Sequence, residues 1–73
     1  DPIVVELVAI CREVAKDRKI GPDDNLFEVG VTSLTLTEIV LAVDEKYPGK
    51  LDISDLFDYP TLREIAALLT RET

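Results

Sequence analysis

The chain contains no histidine, so every mechanism that works through an imidazole is excluded. Cysteine is almost as scarce. Cys11 stands alone, which rules out an internal disulfide, a Cys/His zinc site and a redox pair. Basic residues are in deficit, eight against fifteen acids, and the net charge is −7. Binding to nucleic acid needs a surplus of Lys and Arg against the phosphates, so nucleic acid is excluded as a partner. No apolar run is longer than Ile39 to Val43, far short of the ~20 residues that a bilayer-spanning helix needs, so no membrane is expected. The opening Asp1-Pro-Ile-Val-Val has neither the basic region nor the cleavage site of a signal peptide. The expectation is a small acidic, monomeric domain over residues 1–73, in a reducing compartment such as the cytoplasm. A chain of this size has one thin core and a net stability of ~4–11 kcal/mol. It can hardly enclose a pocket of enzymatic size as well, so its chemistry is expected to be done by a partner.

What is present is helical periodicity. Ile3, Leu7, Ile10 and Val14 recur at helical spacing, widened by Val4, Val8, Cys11 and Ala15, with charged residues filling much of the other side. Pro2 suits a first turn, so helix one is expected over about 2–18, with Lys16, Arg18 and Lys19 favourably placed near its C-terminus. Gly21-Pro22-Asp23-Asp24-Asn25 is a turn cluster and Gly30 a second break. Leu26, Phe27 and Val29 are expected to pin the long loop between them to the core. A calcium-loop reading of the acids fails: counted from Asp23, the glycine position holds Glu28 and the bidentate acid position holds Leu34.

The stretch from Leu34 to Tyr47 carries β-branched residues that would suit a strand. Its apolar positions Leu36, Ile39, Val40 and Val43 nevertheless have helical spacing, and its length exceeds a common strand. A helix is expected over 33–47, with Thr35 and Glu38 as a capping box and Pro48-Gly49 as its end. Asp52 is the expected N-cap of a short helix over 53–58. Thr61 and Glu64 form a second capping box, opening a helix over 61–71. The expected fold is all-α: a small four-helix bundle with three main helices, one short helix and a long first loop.

Charge is unevenly spread. Residues 1–22 are neutral overall, as are 59–73, whereas residues 23–58 hold nine acids against Lys46 and Lys50. Such a face keeps a small domain soluble, or docks basic partners.

Ser33 stands where the long loop meets helix two. It can be a simple helix cap. It cannot be a nucleophile activated by histidine, and the G-x-S-x-G elbow is absent because Thr35 occupies the second glycine position. As a modification site it is well placed, since an anion at a helix N-terminus meets unpaired N–H groups and the positive end of the dipole.

At these residues the chain resembles the phosphopantetheine-dependent carrier proteins, which include acyl carrier proteins and the peptidyl carrier domains of nonribosomal synthetases. The resemblance spans nearly the whole chain. It rests on Asp24-Asn-Leu-Phe-Glu-Val-Gly30, Val31-Thr-Ser33-Leu34, Ala42-Val-Asp44-Glu45-Lys-Tyr47, Leu56-Phe57-Asp-Tyr-Pro60-Thr61-Leu62 and Ile65-Ala66, in that order. The resemblance implies that Ser33 carries 4′-phosphopantetheine, taken from coenzyme A, through a phosphodiester. The thiol of that arm would hold acyl or aminoacyl groups as thioesters. The chain would then be a non-catalytic carrier with no metal, and Val31, Thr32, Leu34, Thr35, Glu38, Asp44 and Glu45 would dock partners. Those partners would be a phosphopantetheinyl transferase, an acyl- or aminoacyl-loading enzyme, and ketosynthase, condensation or thioesterase-type domains.

Thr32 departs from the family pattern. Acyl carriers usually have Asp there, and peptidyl carriers commonly have His after paired glycines; this chain reads Gly30-Val31-Thr32. Helix two is also more apolar than in typical fatty-acid carriers, with Thr35 where an acid often stands. Both features weaken a primary fatty-acid role and favour natural-product assembly, and the expected role is polyketide or hybrid polyketide/nonribosomal peptide assembly. The alternatives are a peptidyl or aminoacyl carrier of a nonribosomal synthetase, and an acidic helical interaction module in which Ser33 is only a cap.

Overall fold

The computed structural model describes the backbone of residues 1–71 and the side chains of residues 1–70; the charges of Arg71 and Glu72 lie outside the described residues. Four helices follow one another: α1 (Pro2–Val14), α2 (Ser33–Lys46), α3 (Asp55–Asp58) and α4 (Leu62–Arg71). Among the described residues there is no strand. The helical spacing of Leu36, Ile39, Val40 and Val43 thus prevails over β-branching, because all four side chains are buried on one face of α2. α1 packs against both α2 and α4, and the core is filled by Leu7, Leu26, Ile39, Leu56, Leu62 and Ile65 among others.

α1 opens on Asp1, whose carboxylate accepts from the Ile3 amide at 3.0 Å. It ends at Val14, short of the expected residue 18. The buried stripe explains the early stop. Val4, Leu7, Cys11 and Ala15 face inward, and one more turn would drive Arg18 into the core. Instead the chain turns at Ala15, and Ile20 becomes the next residue to enter the core. Lys16, Arg18 and Lys19 therefore lie beyond the helix; Arg12 is the base of its last turn. Cys11 is enclosed, and burial pushes its thiol up to about 11.

The loop from Ala15 to Thr32 is irregular but tied down. Leu26 is wholly buried, its amide donates to the Pro60 carbonyl at 2.8 Å, and the Arg63 amide donates to the Pro22 carbonyl at 3.0 Å. Phe27, expected as a core anchor, is 42% exposed.

Thr32 caps α2: its hydroxyl accepts from the Thr35 amide at 3.1 Å. The capping box expected from Thr35 and Glu38 is not formed, because Thr35 already lies in the first turn. Nor does Ser33 cap the helix; it is the first helical residue. α2 ends one residue earlier than expected, at Lys46. Gly49 adopts the left-handed φ of +73° in the following turn.

α3 is shorter than expected, and Asp52 does not cap it. Asp52 instead accepts from the Ile53 amide at 2.8 Å and the Ser54 hydroxyl at 3.1 Å, forming a local turn before the helix begins. At the start of α4 the Glu64 amide donates to the Thr61 hydroxyl at 3.2 Å, and that hydroxyl donates to the Glu64 carboxylate at 2.9 Å.

A helix of four residues has little stability of its own, so Leu56, wholly buried, must hold α3 in place. Leu56→Ala is expected to cost about 2–5 kcal/mol, a large share of the ~4–11 kcal/mol available. Urea unfolding followed by circular dichroism measures the loss.

Candidate functional site

The site begins with the conformation before α2. Gly30 has a φ of +88°, a left-handed value that a side-chain residue rarely adopts. The chain then extends through Thr32 (φ −85°, ψ 166°) and enters the helix at Ser33. Division of labour follows. Thr32 supplies the capping oxygen, which leaves the Ser33 hydroxyl exposed and without a hydrogen-bond partner among the described residues. No acid occupies the first turn of α2, so the positive end of its dipole is not offset by a carboxylate.

Ser33 borders a crevice of about 250 Å³ formed with Phe27, Val31, Leu36, Thr37, Ile53 and Phe57. The rings of Phe27 and Phe57 stack with centroids 5.2 Å apart and an interplanar angle of 22°. Phe57 is 72% exposed, so this aromatic pair forms an outer wall of the crevice. Reading the sequence located Ser33 and Val31 but missed the rest of this wall. Phe27 and Phe57 are remote in sequence, and only the packing of the long loop against α3 brings them together.

The expected docking residues divide into two groups. Val31, Thr32, Leu34 and Thr35 surround Ser33; Val31 is half-buried, and Leu34 is 69% exposed. Asp44 and Glu45 lie toward the other end of α2, about 16 Å along the axis at 1.5 Å per residue. Glu38 stands between the two groups. Helical spacing places Leu34, Glu38, Leu41 and Glu45 on one stripe, and all four are exposed. Leu41 was missed, although its i+7 spacing from Leu34 was legible.

Several acids of the negative segment are used locally. The Asp24 carboxylate accepts from the Gly21 amide at 2.8 Å, and that of Asp44 from the Gly49 amide at 2.9 Å. Asp52 and Asp55 serve the turn before α3. The carboxylates of Glu28, Glu38, Glu45 and Asp58 make no hydrogen bond or ion pair with the described residues, and they carry outward charge. Asp23 is held below the ordinary carboxylate range by the Arg63 guanidinium, which donates to it at 2.7 Å. Glu6 is lowered chiefly by the Tyr47 hydroxyl that donates to it, and the same bond raises Tyr47.

The arrangement can accept a covalent group but cannot by itself activate the serine, since no base lines the crevice. Among the described residues, no cluster of His, Cys, Asp and Glu could hold a metal ion, and no helix is long and apolar enough to cross a membrane.

The family model described as the phosphopantetheine attachment site matches residues 5–69. Among curated relatives, the chain is 33% identical over 69 residues to the polyketide synthase PksL of Bacillus subtilis, covering 92% of this chain and 2% of that protein. It is 35% identical over 72 residues to the phosphinothricin tripeptide synthetase PhsC of Streptomyces viridochromogenes, covering 99% of this chain and 7% of PhsC. To bacitracin synthase 2 of Bacillus licheniformis it is 35% identical over 68 residues, covering 93% of this chain and 3% of that relative. The chain thus spans only a small fraction of the curated relatives it matches. No solved structure gives a significant match.

The bond from Arg63 to Asp23 ties the start of the loop to α4. Because the folded pKa of Asp23 lies below its unfolded value, the bond's contribution to stability is present above about pH 4. It is lost as pH falls through the lower, folded value. Carboxyl NMR titration should find Asp23 titrating below 3.8, and in Arg63→Gln the value should return toward 3.8.

Proposed function

Since the chain belongs to the phosphopantetheine attachment-site family, we propose that Ser33 is the residue that bears 4′-phosphopantetheine. We also propose that residues 1–73 act as a carrier in a larger biosynthetic synthase. The observation that carries the assignment is the exposed, unbonded Ser33 hydroxyl at the first position of α2, released from capping by Thr32. The residues fit the group. The serine is accessible, the helix end favours an anion, and an apolar crevice borders the same serine. When bound, the group supplies a terminal thiol on which acyl or aminoacyl intermediates are tethered as thioesters.

The chain's own residues present and orient. α2 and Thr32 hold Ser33 outward, while the wall of Phe27, Ile53 and Phe57 offers apolar surface beside it. The stripe of Leu34, Glu38, Leu41 and Glu45 gives alternating apolar and acidic contacts to a partner with a basic rim. Carriers of this family are non-catalytic, and in this reading the chain is a cosubstrate passed between enzymes. A phosphopantetheinyl transferase loads it, an acyl- or aminoacyl-loading enzyme charges it, and ketosynthase, condensation or thioesterase-type domains draw on it. The proposed setting is the cytoplasm, where Cys11 stays reduced.

Polyketide or hybrid assembly is the preferred role, supported by the similarity to PksL; Thr32, in place of the family's usual Asp or His, fits neither the acyl nor the peptidyl subtype. A peptidyl or aminoacyl role is the second reading, favoured by the similarity to PhsC and bacitracin synthase 2.

Incubation with coenzyme A, Mg²⁺ and a broad-specificity phosphopantetheinyl transferase is expected to add one phosphopantetheine to the native chain and none to Ser33→Ala, by intact mass. Ser33→Ala should change stability by no more than about 0.5 kcal/mol. Thr32→Ala, which removes the cap, should cost about 0.5–2 kcal/mol. A folded native chain that gains no mass would sink the assignment.

A further inference from the structure

In a chain of net charge −7, one cation stands beside the attachment region. The Arg18 guanidinium lies over Gly30, 3.4–3.8 Å from where a Cβ on that glycine would be. Gly30 precedes Ser33 by three residues. Arg18 also shares a small cleft with Gly30, Val31, Thr32 and Thr35, on the flank of α2 away from the aromatic wall. One cleft bordering the start of α2 is lined by no base, and another is lined by Arg18 together with Asp17. Arg12, Lys16 and Lys19 join Arg18 around a neighbouring groove, so the cationic surface continues from α1 to this point.

The local charge around Arg18 is unbalanced. Among the described residues its one ion pair is with Asp17, at a loose 3.9 Å between two exposed side chains. No acid occurs between Glu28 and Glu38, and the first turn of α2 has none. Arg18 and the helix N-terminus therefore both favour an anion near the start of α2, where the loosely paired Asp17 is the one carboxylate lining the cleft that holds Arg18. A guanidinium presents a planar fork of N–H donors suited to phosphate oxygens.

We infer that Arg18 is a positioning residue for the phosphodiester on Ser33, swinging from over Gly30 to hold the phosphate against the N-terminus of α2. The inference rests on the attachment proposed at Ser33. Pairing there fixes the root of the arm and biases the direction in which it leaves the surface.

The test uses apo and enzymatically loaded chains, their loading established by intact mass. In the native protein, loading should move the Arg18 Nε–Hε resonance in ¹H–¹⁵N spectra at mildly acidic pH. Loading should also raise the thermal midpoint by about 4 °C, the scale of a modest new interaction in a domain of this size. Ionic strength of about 1 M, where the screening length is ~3 Å, should shrink that rise. In Arg18→Gln at least half of the rise should disappear, while Arg18→Lys should keep an intermediate part. An Arg18 resonance unmoved by loading would overturn the inference. So would an undiminished rise in Arg18→Gln, even if its apo midpoint fell, because Arg18 would then only cover Gly30. Failure of the folded native chain to gain mass would overturn the attachment at Ser33 and this inference with it.

Discussion

The site depends on the anchoring of a segment that has no regular structure. Leu26, in the middle of the loop from Ala15 to Thr32, is wholly buried, and its amide bonds to Pro60 just before α4. The Arg63 amide bonds back to Pro22, and the Arg63 side chain pairs with Asp23. A loop of this length would otherwise sample many paths at considerable entropic advantage. Buried and tied, it delivers Gly30 and Thr32 to one place, and α2 starts there. Had Leu26 remained in solvent, nothing in the local sequence would specify where Ser33 sits relative to α3.

Two threonines and a serine at the start of α2 have separate tasks. Thr32 satisfies the helix, Thr35 bonds to Thr32 through its hydroxyl at 3.1 Å, and the Ser33 hydroxyl is left without a partner among the described residues. That separation suits the proposed attachment: the Ser33 hydroxyl makes no hydrogen bond among the described residues that modification would break. The acids show a similar division. Asp24, Asp44, Asp52 and Asp55 close turns through backbone amides, whereas Glu28, Glu38, Glu45 and Asp58 remain outward. The negative middle of the chain is thus partly architecture and partly surface.

The helical elements, their order and most of their inward faces were legible in the sequence because amphipathic periodicity is local. Val4, Leu7 and Cys11, or Leu36, Ile39 and Val43, declare a buried face by spacing alone. Ends were less legible. The C-terminus of α1 depended on Arg18 being unable to follow Ala15 into the core. The N-cap of α2 required choosing among three neighbouring hydroxyl residues, Thr32, Ser33 and Thr35, that are chemically equivalent on paper.

The sequence by itself determined an all-helical acidic chain without imidazole or paired thiols, carrying a serine at the mouth of its second helix and a motif order shared with a known carrier family. Only the tertiary structure decided that Phe27 leaves the core to stack on Phe57 and that Arg18 rests over Gly30. The physical reason is range. Periodicity and turn chemistry act between residues a few positions apart, whereas a meeting of side chains twelve or thirty positions apart is set by the path of the anchored loop through a shared core.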